Sequence, residues 1–358
     1  MSTLPFLPYF FTFWKYDYLY DRTLFACVFA VVIAGILLWK HSKLLSITVT
    51  YFLLNSLWIP FYTHNKYLKI FHAYNSSLTD VSVKGLVFFT ACLFTACFIK
   101  VSTITKLFDN MKWILTLFLG SSILLRHYGI ADSAMSNQSI GLTTASIMFS
   151  IAMFRSNRWH NVLNALLISV VFYQVHSIMG VASLIFCVLL YLLVSGRILS
   201  FLICFMAIAL LSLYMYLIDQ TIFYLNLRDQ IAITSVKILT QYDAIWTGMG
   251  GFSFRYFYVL HQHISKEMID GGYVLFAHND YIQILFEHGI VGLVLAVLLI
   301  LKLLYTGIKT NNYLYVMIVC FACNMMGNSP MVMPSDLLLL FMAIRLLLQR
   351  ENNGPIIN

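Results

Sequence analysis

The sequence G-G-Y-V-L-F-A-H-N-D-Y-I-Q-I-L-F-E-H-G-I-V-G runs from Gly271 to Gly292, where a long hydrophilic segment meets an apolar one. Asn279 and Asp280 are of the residue types that cap helix N-termini, so the pattern predicts a helix that starts here. On that helix Asp280, Gln283 and Glu287 are spaced i, i+3 and i+7 and lie on one face. The stretch therefore predicts a polar cluster at the beginning of an apolar helix.

The composition of the whole chain is that of a membrane protein. Of its 358 residues 61% are hydrophobic and only 10% are charged, with a mean hydropathy of +0.83, whereas soluble domains are about 45–50% apolar. A helical span needs about 20 residues, so the apolar runs predict about eleven (10–12) transmembrane helices in one integral membrane domain, 1–358. We expect an all-α polytopic fold. The runs lie near 24–40, 45–62, 85–101, 112–126, 140–155, 160–176, 178–195, 198–218, 284–305, 312–327 and 335–349.

The distribution of lysine and arginine predicts the topology. These residues collect at alternate ends of the apolar runs, which the positive-inside rule assigns to the cytoplasm, although the loop 63–84 departs from the pattern. The segment 219–283 is then a large external loop with short helices, in the periplasm if the cell is bacterial, and 351–358 is a disordered cytoplasmic tail. The net charge of +8 reflects this topology. No basic cluster alternates with aromatic residues on a soluble segment, so nucleic-acid binding is not expected.

Within the external loop, residues 228–245 read as an amphipathic helix lying on the membrane surface, with Trp246 at the lipid headgroups. The glycine-rich sequence 248–252 then predicts a flexible turn that leads to Arg255. Gly289 and Gly292 predict a small surface for close helix contact. The apolar residues at helical spacing are Ile231, Ile238, Tyr242 and Ile245.

His278 is the candidate general base, because imidazole titrates near neutral pH and can accept a hydroxyl proton. Asp280 or Glu287 could fix its tautomer. Arg228 and Arg255 flank the glycine-rich turn, and their guanidinium groups suit a diphosphate leaving group. The alternative for such basic residues is simple contact with lipid phosphate.

We expect neither a metal nor another cofactor. The seven cysteines all lie in apolar runs, where cysteine behaves as a small hydrophobic residue. Cys320 and Cys323 have no second pair, and His261 and His263 have no further ligand at metal-binding spacing. The glycines at 248–251 are not surrounded by the strand–helix unit of a dinucleotide site.

Three motifs resemble the signature region of the O-antigen ligase/polymerase superfamily, which includes protein O-oligosaccharyltransferases that glycosylate pilins. They are W-T-G-M-G-G-F at 246–252, H-N-D-Y-I-Q at 278–283 and E-H-G-I-V-G at 287–292. The resemblance covers about 228–292. It implies a helical bundle of the GT-C type that transfers a glycan from undecaprenyl diphosphate without nucleotide sugar or metal.

The resemblance also implies roles for residues. The essential histidine of the family maps onto His278 and its early loop arginine onto Arg228. Many members carry Ser-Arg-Gly in an earlier span, where this chain has His-Ser-Ile-Met-Gly at 176–180. Of the arginines that could replace it, Arg155 and Arg197 are cytoplasmic by the predicted topology, so Arg255 is favoured. The expected site-organising or sugar-binding residues are Asn279, Asp280, Tyr281, Gln283 and Glu287, and the expected loop-shaping glycines are Gly248, Gly250, Gly251, Gly289 and Gly292.

The function that the resemblance implies is inverting transfer of a lipid-linked glycan to an acceptor hydroxyl at the periplasmic face of the bacterial inner membrane. The acceptor is lipid A–core in a ligase, another lipid-linked glycan in a polymerase, or a pilin in a protein glycosyltransferase. A flippase or transporter of the same glycolipid is the alternative from another class. Such proteins tend to have polar groups at mid-membrane, whereas the polar groups of this chain concentrate at one face. A non-catalytic assembly scaffold is a third possibility.

Overall fold

The computed structural model describes residues 35–36, 38–39, 42–56, 88–127, 138–175, 178–218, 228–254, 257–258, 276–310, 312–327, 330–332 and 334–353. Throughout these ranges the regular structure is helical and no strand occurs. The prediction of an all-α fold is therefore confirmed for the part of the chain that is described.

Twelve α-helices are bounded within these ranges, and their order follows the predicted apolar runs closely. A short 3-10 helix, Pro330–Val332, precedes the last of them. The helices are α1 Lys43–Ser56, α2 Phe88–Phe98, α3 Val101–Asp109, α4 Met111–His127, α5 Gln138–Ala152, α6 Arg158–Val175, α7 Ile178–Val194, α8 Ile198–Ile218, α9 Arg228–Gln241, α10 Asp280–Lys309, α11 Leu314–Asn324 and α12 Pro334–Asn353.

The predicted number of membrane spans is not confirmed. In the described ranges α10 is long and apolar enough to cross a bilayer, and α2 with α3 would form a second span if this pair, bent by 103°, were counted as one. Six further helices are apolar but contain only 10–17 residues in their apolar part. About 20 residues are needed to cross the hydrocarbon core, so by length and composition together α10 is a candidate span.

The chain divides into two compact units, each assembled from separate segments. One unit comprises 1–98, 230–277 and 281–301, and the other comprises 99–229, 278–280 and 302–358. The division leaves the prediction of one integral membrane domain untested.

In the second unit α5 is the central helix, and it packs against α3, α4, α6, α7, α11 and α12. Its buried face carries small residues, including Ala145, Ser146 and Ser150, which let neighbouring backbones approach closely. The hydroxyl groups of Ser146 and Ser150 each donate at 2.7 Å to a carbonyl one turn earlier in α5. These serines are therefore satisfied within the helix while it occupies the middle of the bundle.

Two features of the second unit differ from the prediction. The lysine-containing segment after α2 forms the helix α3, which buries Ile104 and Phe108. The last helix reaches Asn353, so 351–353 of the predicted disordered tail are helical, and the rest of the tail lies outside the described residues.

The first unit has its apolar core around α9. Ile231 and Ile238 are on one face, as the helical spacing predicted, but they are buried against protein. The expectation that this face lies on the membrane surface is therefore wrong for these two side chains, whereas Tyr242 is exposed. The core partners of α9 are Met249, Phe254, Phe257, Tyr258, Ala277 and Phe286.

Candidate functional site

The residues before α10 are held by the turn that follows α11. The Asp280 amide donates to the Met325 carbonyl oxygen at 2.8 Å, and the Asn279 side-chain amide donates to the Met326 carbonyl oxygen at 3.0 Å. The Asp280 carboxylate accepts a hydrogen bond from the Met331 amide at 2.8 Å. A carboxylate buried in this way fixes the backbone around it, so Asp280 holds the start of α10 against the turn 325–327 and against Met331.

His278 lies two residues before α10 with a φ of 51°. This left-handed conformation is uncommon for residues other than glycine, and histidine is among those that adopt it more often. The hydrogen bonds of Asn279 and Asp280 hold the adjacent backbone, so the conformation of His278 is imposed by its neighbours. The His278 side chain keeps a substantial exposed surface.

The electrostatic environment of His278 favours its neutral form. Although the imidazole reaches solvent, surrounding protein desolvates it, and this is the main cause of a pKa below the ordinary value of 6.5. The positive charge of Arg228 lowers that pKa further. Arg228 is half-buried, and desolvation lowers its own pKa from 12.5. A neutral imidazole near a cation can accept a proton while the cation attracts an anion.

Gln283 and Glu287 form a second arrangement, in the first unit. The Gln283 side-chain amide donates to Glu287 Oε1 at 3.1 Å, and the Phe252 amide donates to Glu287 Oε2 at 2.9 Å. Phe252 has a φ of 59°, a strained conformation for a bulky residue. The Glu287 carboxylate therefore fixes the glycine-rich loop through the amide of its most strained residue.

The glycine-rich loop is buried and is held through successive backbone amides. The amides of Met249 and Gly250 donate to Phe286 and Glu287 carbonyl oxygens at 2.8 and 2.9 Å, and the Gly251 amide donates to the Asn55 carbonyl oxygen at 3.1 Å. The interpretation of this segment as a flexible turn is corrected, because its amides are bonded to α10 and α1.

Glycine is required at two points of this contact. A Cβ on Gly248 would lie 2.4 Å from backbone atoms of Glu287, and a Cβ on Gly289 would lie 2.2 Å from the Trp246 carbonyl oxygen. Both glycines have a positive φ, and Gly289 interrupts α10. Gly292 also allows a close approach, since its Cβ would lie 3.3 Å from a ring carbon of Tyr51.

The helix α1 also supports the glycine-rich loop and α10, and this contribution was not predicted. The Asn55 side-chain amide donates to the Thr247 carbonyl oxygen at 2.8 Å, and the Tyr51 hydroxyl donates to the His288 carbonyl oxygen at 3.0 Å. The Phe52 ring stacks on the His288 imidazole with a centroid distance of 4.2 Å. An asparagine within an apolar run was the available signal for this contact, because buried amides need partners.

A buried acid in the second unit was also missed. Asp336 is fully buried near the start of α12, and its Oδ1 accepts a hydrogen bond from the Thr144 hydroxyl at 2.7 Å. Nearby in the packing of α5 and α11, the Asn324 side-chain amide donates to the Ser146 hydroxyl oxygen at 3.0 Å. The available signal in the sequence was an ionisable residue at the start of a predicted apolar run.

The structure places the predicted site residues in two clusters, one in each unit. Arg228, His278, Asn279 and Asp280 belong to the second unit. The first unit holds Gly248, Gly250, Gly251, Tyr281, Gln283, Glu287, Gly289 and Gly292.

Some residues named from the sequence belong to neither cluster. Arg255 lies outside the described residues, as do His261 and His263. Arg155, considered as a replacement arginine, instead pairs with Asp109 and donates to the Tyr313 hydroxyl oxygen at 3.0 Å. In the ranges that are described no cluster of three potential metal ligands occurs, and metal independence stays a prediction.

Comparison with known proteins adds no relative. No protein-family model matches the chain, and neither does any curated protein. The resemblance stated from the sequence motifs therefore stays a prediction, and the functional argument depends on the geometry described above.

Proposed function

We propose that this protein transfers a glycan from undecaprenyl diphosphate to an acceptor hydroxyl, at the external face of a bacterial inner membrane and with inversion at the anomeric carbon. The observation that carries the proposal is that the exposed His278 imidazole, two residues before α10, lies near enough to Arg228 for the positive charge of Arg228 to lower the pKa of the histidine. A base that is neutral at physiological pH and a cation that can meet a diphosphate are the two groups that such a transfer needs.

In the proposed step the acceptor oxygen forms a bond to the anomeric carbon as its proton passes to the His278 imidazole. The bond from the anomeric carbon to the diphosphate oxygen breaks, and undecaprenyl diphosphate leaves with the electron pair. The Arg228 guanidinium stabilises the negative charge that develops on the leaving oxygens. The imidazolium then returns its proton to solvent.

The remaining predicted residues take supporting roles in this proposal. Asp280 holds the start of α10 through the Met331 amide, and Glu287 holds the glycine-rich loop through the Phe252 amide. Both carboxylates therefore position backbone, while Asn279 and Tyr281 are the residues proposed to contact sugar. Arg255 is retained as the proposed second diphosphate ligand on the sequence argument alone.

Reconstitution in liposomes tests the proposal. Undecaprenyl-diphosphate glycan is supplied with lipid A–core, with excess glycolipid or with a pilin peptide in separate reactions. A single adduct on lipid A–core indicates a ligase, a ladder indicates a polymerase, and peptide modification indicates a protein glycosyltransferase.

The matched variants are His278→Ala and His278→Asn. Asparagine tolerates the left-handed backbone and cannot act as the base, so His278→Asn should fold normally and lose at least ~100-fold in rate, the usual contribution of a general base. Normal transfer by a folded His278→Asn protein would remove the base assignment.

Transport of the glycolipid is a second candidate, and the Asp336 carboxyl buried in the bundle favours it. Intramembrane acids mark transport and proton pathways. Liposomes that move labelled glycolipid across the bilayer without forming any adduct, and that lose this activity with Asp336→Asn but not with His278→Asn, would support transport over transfer.

A further inference from the structure

The break at Gly289 divides α10 into two parts of different character. Before the break the polar side chains of Asp280, Gln283 and Glu287 are buried. After it, no charged residue occurs until Lys302. This second part carries a line of exposed apolar or aromatic side chains at helical spacing, namely Val291, Val294, Leu298, Leu301, Tyr305 and Ile308.

The two ends of this line differ in their surroundings. At the first end the Val291 amide donates to the Trp246 carbonyl oxygen at 3.3 Å, and the Trp246 side chain is exposed. At the other end the Lys309 ammonium lies 5.8 Å from the centre of the Tyr305 ring. Tryptophan and tyrosine are enriched at membrane–water interfaces, and lysine is enriched on the cytoplasmic side.

The length of the line matches a bilayer. From Val291 to Ile308 an α-helix rises about 26 Å at 1.5 Å per residue, and the hydrocarbon core is about 30 Å thick. An apolar line with aromatic groups at both ends and lysines only near one of them is the arrangement expected for a surface that faces lipid.

We propose that the exposed line from Val291 to Ile308 faces the acyl chains, with Trp246 at the external headgroups and the ammonium groups of Lys302 and Lys309 directed to the cytoplasmic headgroups, which long lysine side chains reach by snorkelling. The plane of the external membrane surface then passes through the break at Gly289, and α10 before the break lies outside the hydrocarbon. Its polar side chains are thereby spared the cost of burial in lipid. The inference concerns lipid contact alone and does not depend on glycan transfer.

Nitroxide labels in reconstituted protein test the inference. The seven native cysteines are replaced by alanine, and single cysteines are placed at Tyr242, Val294 and Leu298, whose exposed fractions are 47%, 49% and 47%. Because the three side chains are nearly equally exposed, differences in how strongly each reagent relaxes the labels show whether lipid or water surrounds a position. The labels are probed with oxygen, which concentrates in lipid, and with nickel ethylenediaminediacetate, which stays in water.

We expect oxygen to relax the labels at Val294 and Leu298 while the nickel reagent relaxes the label at Tyr242, with Leu298 at the greater depth. Nickel access at Val294 and Leu298 equal to that at Tyr242 would mean that the line faces water and would overturn the inference. Protection from both reagents would also overturn it, because another protein surface, such as a second copy of the chain, would then cover the line.

A second measurement keeps the native cysteines. Brominated lipids quench tryptophan according to depth, and the difference between the unmodified protein and Trp246→Phe isolates Trp246. Bromine near the headgroup should quench this difference signal more than bromine near the bilayer centre. Stronger quenching from the bilayer centre would contradict the assigned depth.

Discussion

Gly248 and Gly289 lie where their two segments meet, and a Cβ atom on either glycine would collide with the backbone of the other segment. Gly248 lies against the Glu287–His288 peptide, and Gly289 lies against the Trp246–Thr247 peptide. The break in α10 is bridged by the same contact, because the Ile290 amide donates to the Ile245 carbonyl oxygen at 2.9 Å. Two segments that are distant in sequence are thus joined at backbone distance without side chains between them.

Replacing either glycine should separate these segments. Gly248→Ala and Gly289→Ala introduce a Cβ within 2.4 Å of backbone and force alanine into a positive φ. We expect each to lower the free energy of unfolding by at least ~2 kcal/mol, measured by denaturant titration in one detergent. Gly120→Ala is the control, since its Cβ would meet nothing within 4 Å. In the α4 interior this change should stabilise by ~0.5–1 kcal/mol. Equal effects of all three substitutions would contradict the contact.

Exchanging Gln283 and Glu287 tests the hydrogen-bonded arrangement around the loop. Glu287→Gln alone turns one acceptor into a donor facing the Gln283 amide, and an unsatisfied buried pair costs about 1–3 kcal/mol. In the double variant with Gln283→Glu, the side-chain amide at position 287 can donate to the carboxylate at position 283. The side-chain oxygen at position 287 then remains to accept from the Phe252 amide. The double variant should therefore unfold at higher denaturant than Glu287→Gln. Additive losses in the double-mutant cycle would show that the two side chains act separately.

The pH dependence of transfer should report the Arg228–His278 pair. Because the pKa of His278 lies below 6.5, its neutral form predominates at pH 6.5, and the midpoint of the acid limb of kcat/KM should lie on the acid side of that value. Arg228→Gln removes one of the two causes, so the acid limb should move upward toward pH 6.5 as the rate falls. Arg228→Lys preserves the charge and should preserve the limb. If the acid limb is unchanged in Arg228→Gln, the charge of Arg228 does not lower the pKa of His278.

Asp243 ends α9 in a left-handed conformation, with a φ of 53°. The Ala244 amide donates to the Leu239 carbonyl oxygen at 2.9 Å, which closes the helix C-terminus with the hydrogen bond of a Schellman motif. Glycine is the preferred residue at this position, so Asp243→Gly should raise the free energy of unfolding by about 0.5 kcal/mol. Asp243→Val should lower it, because a β-branched residue is strained at a positive φ. The same denaturant titration distinguishes the two signs.

The sequence predicted the helices well because each apolar run is long and uninterrupted. The start of α10 at Asp280 and the common face of Ile231 and Ile238 on α9 follow from capping and periodicity alone, whereas the burial of that face against protein was not predicted. The break at Gly289 was not predicted, because a glycine in an apolar helix pattern is compatible with both close packing and a left-handed turn. Only the position of the Trp246–Thr247 peptide decides between them.

The sequence identified which residues belong to the candidate site, but it predicted only some of the contacts that these residues make. His278 and Arg228 were singled out from the sequence, and in the structure the charge of Arg228 contributes to lowering the pKa of His278. Glu287 was expected to orient His278 or contact sugar, yet its carboxylate accepts from the Phe252 amide. Partners such as Asn55 and Thr144 lie almost two hundred residues from the groups they bind, and a single sequence carries no information on pairing at that separation.

Asn55 and Thr247 are separated by 192 positions, and this separation has a consequence for biogenesis. At the usual rate of synthesis, about 5–20 residues per second, roughly 10–40 s pass between the emergence of the two residues from the ribosome. During that interval the Asn55 amide must be satisfied by water or by another transient partner. The loop that α1 supports is therefore assembled late, after most of the chain has left the ribosome.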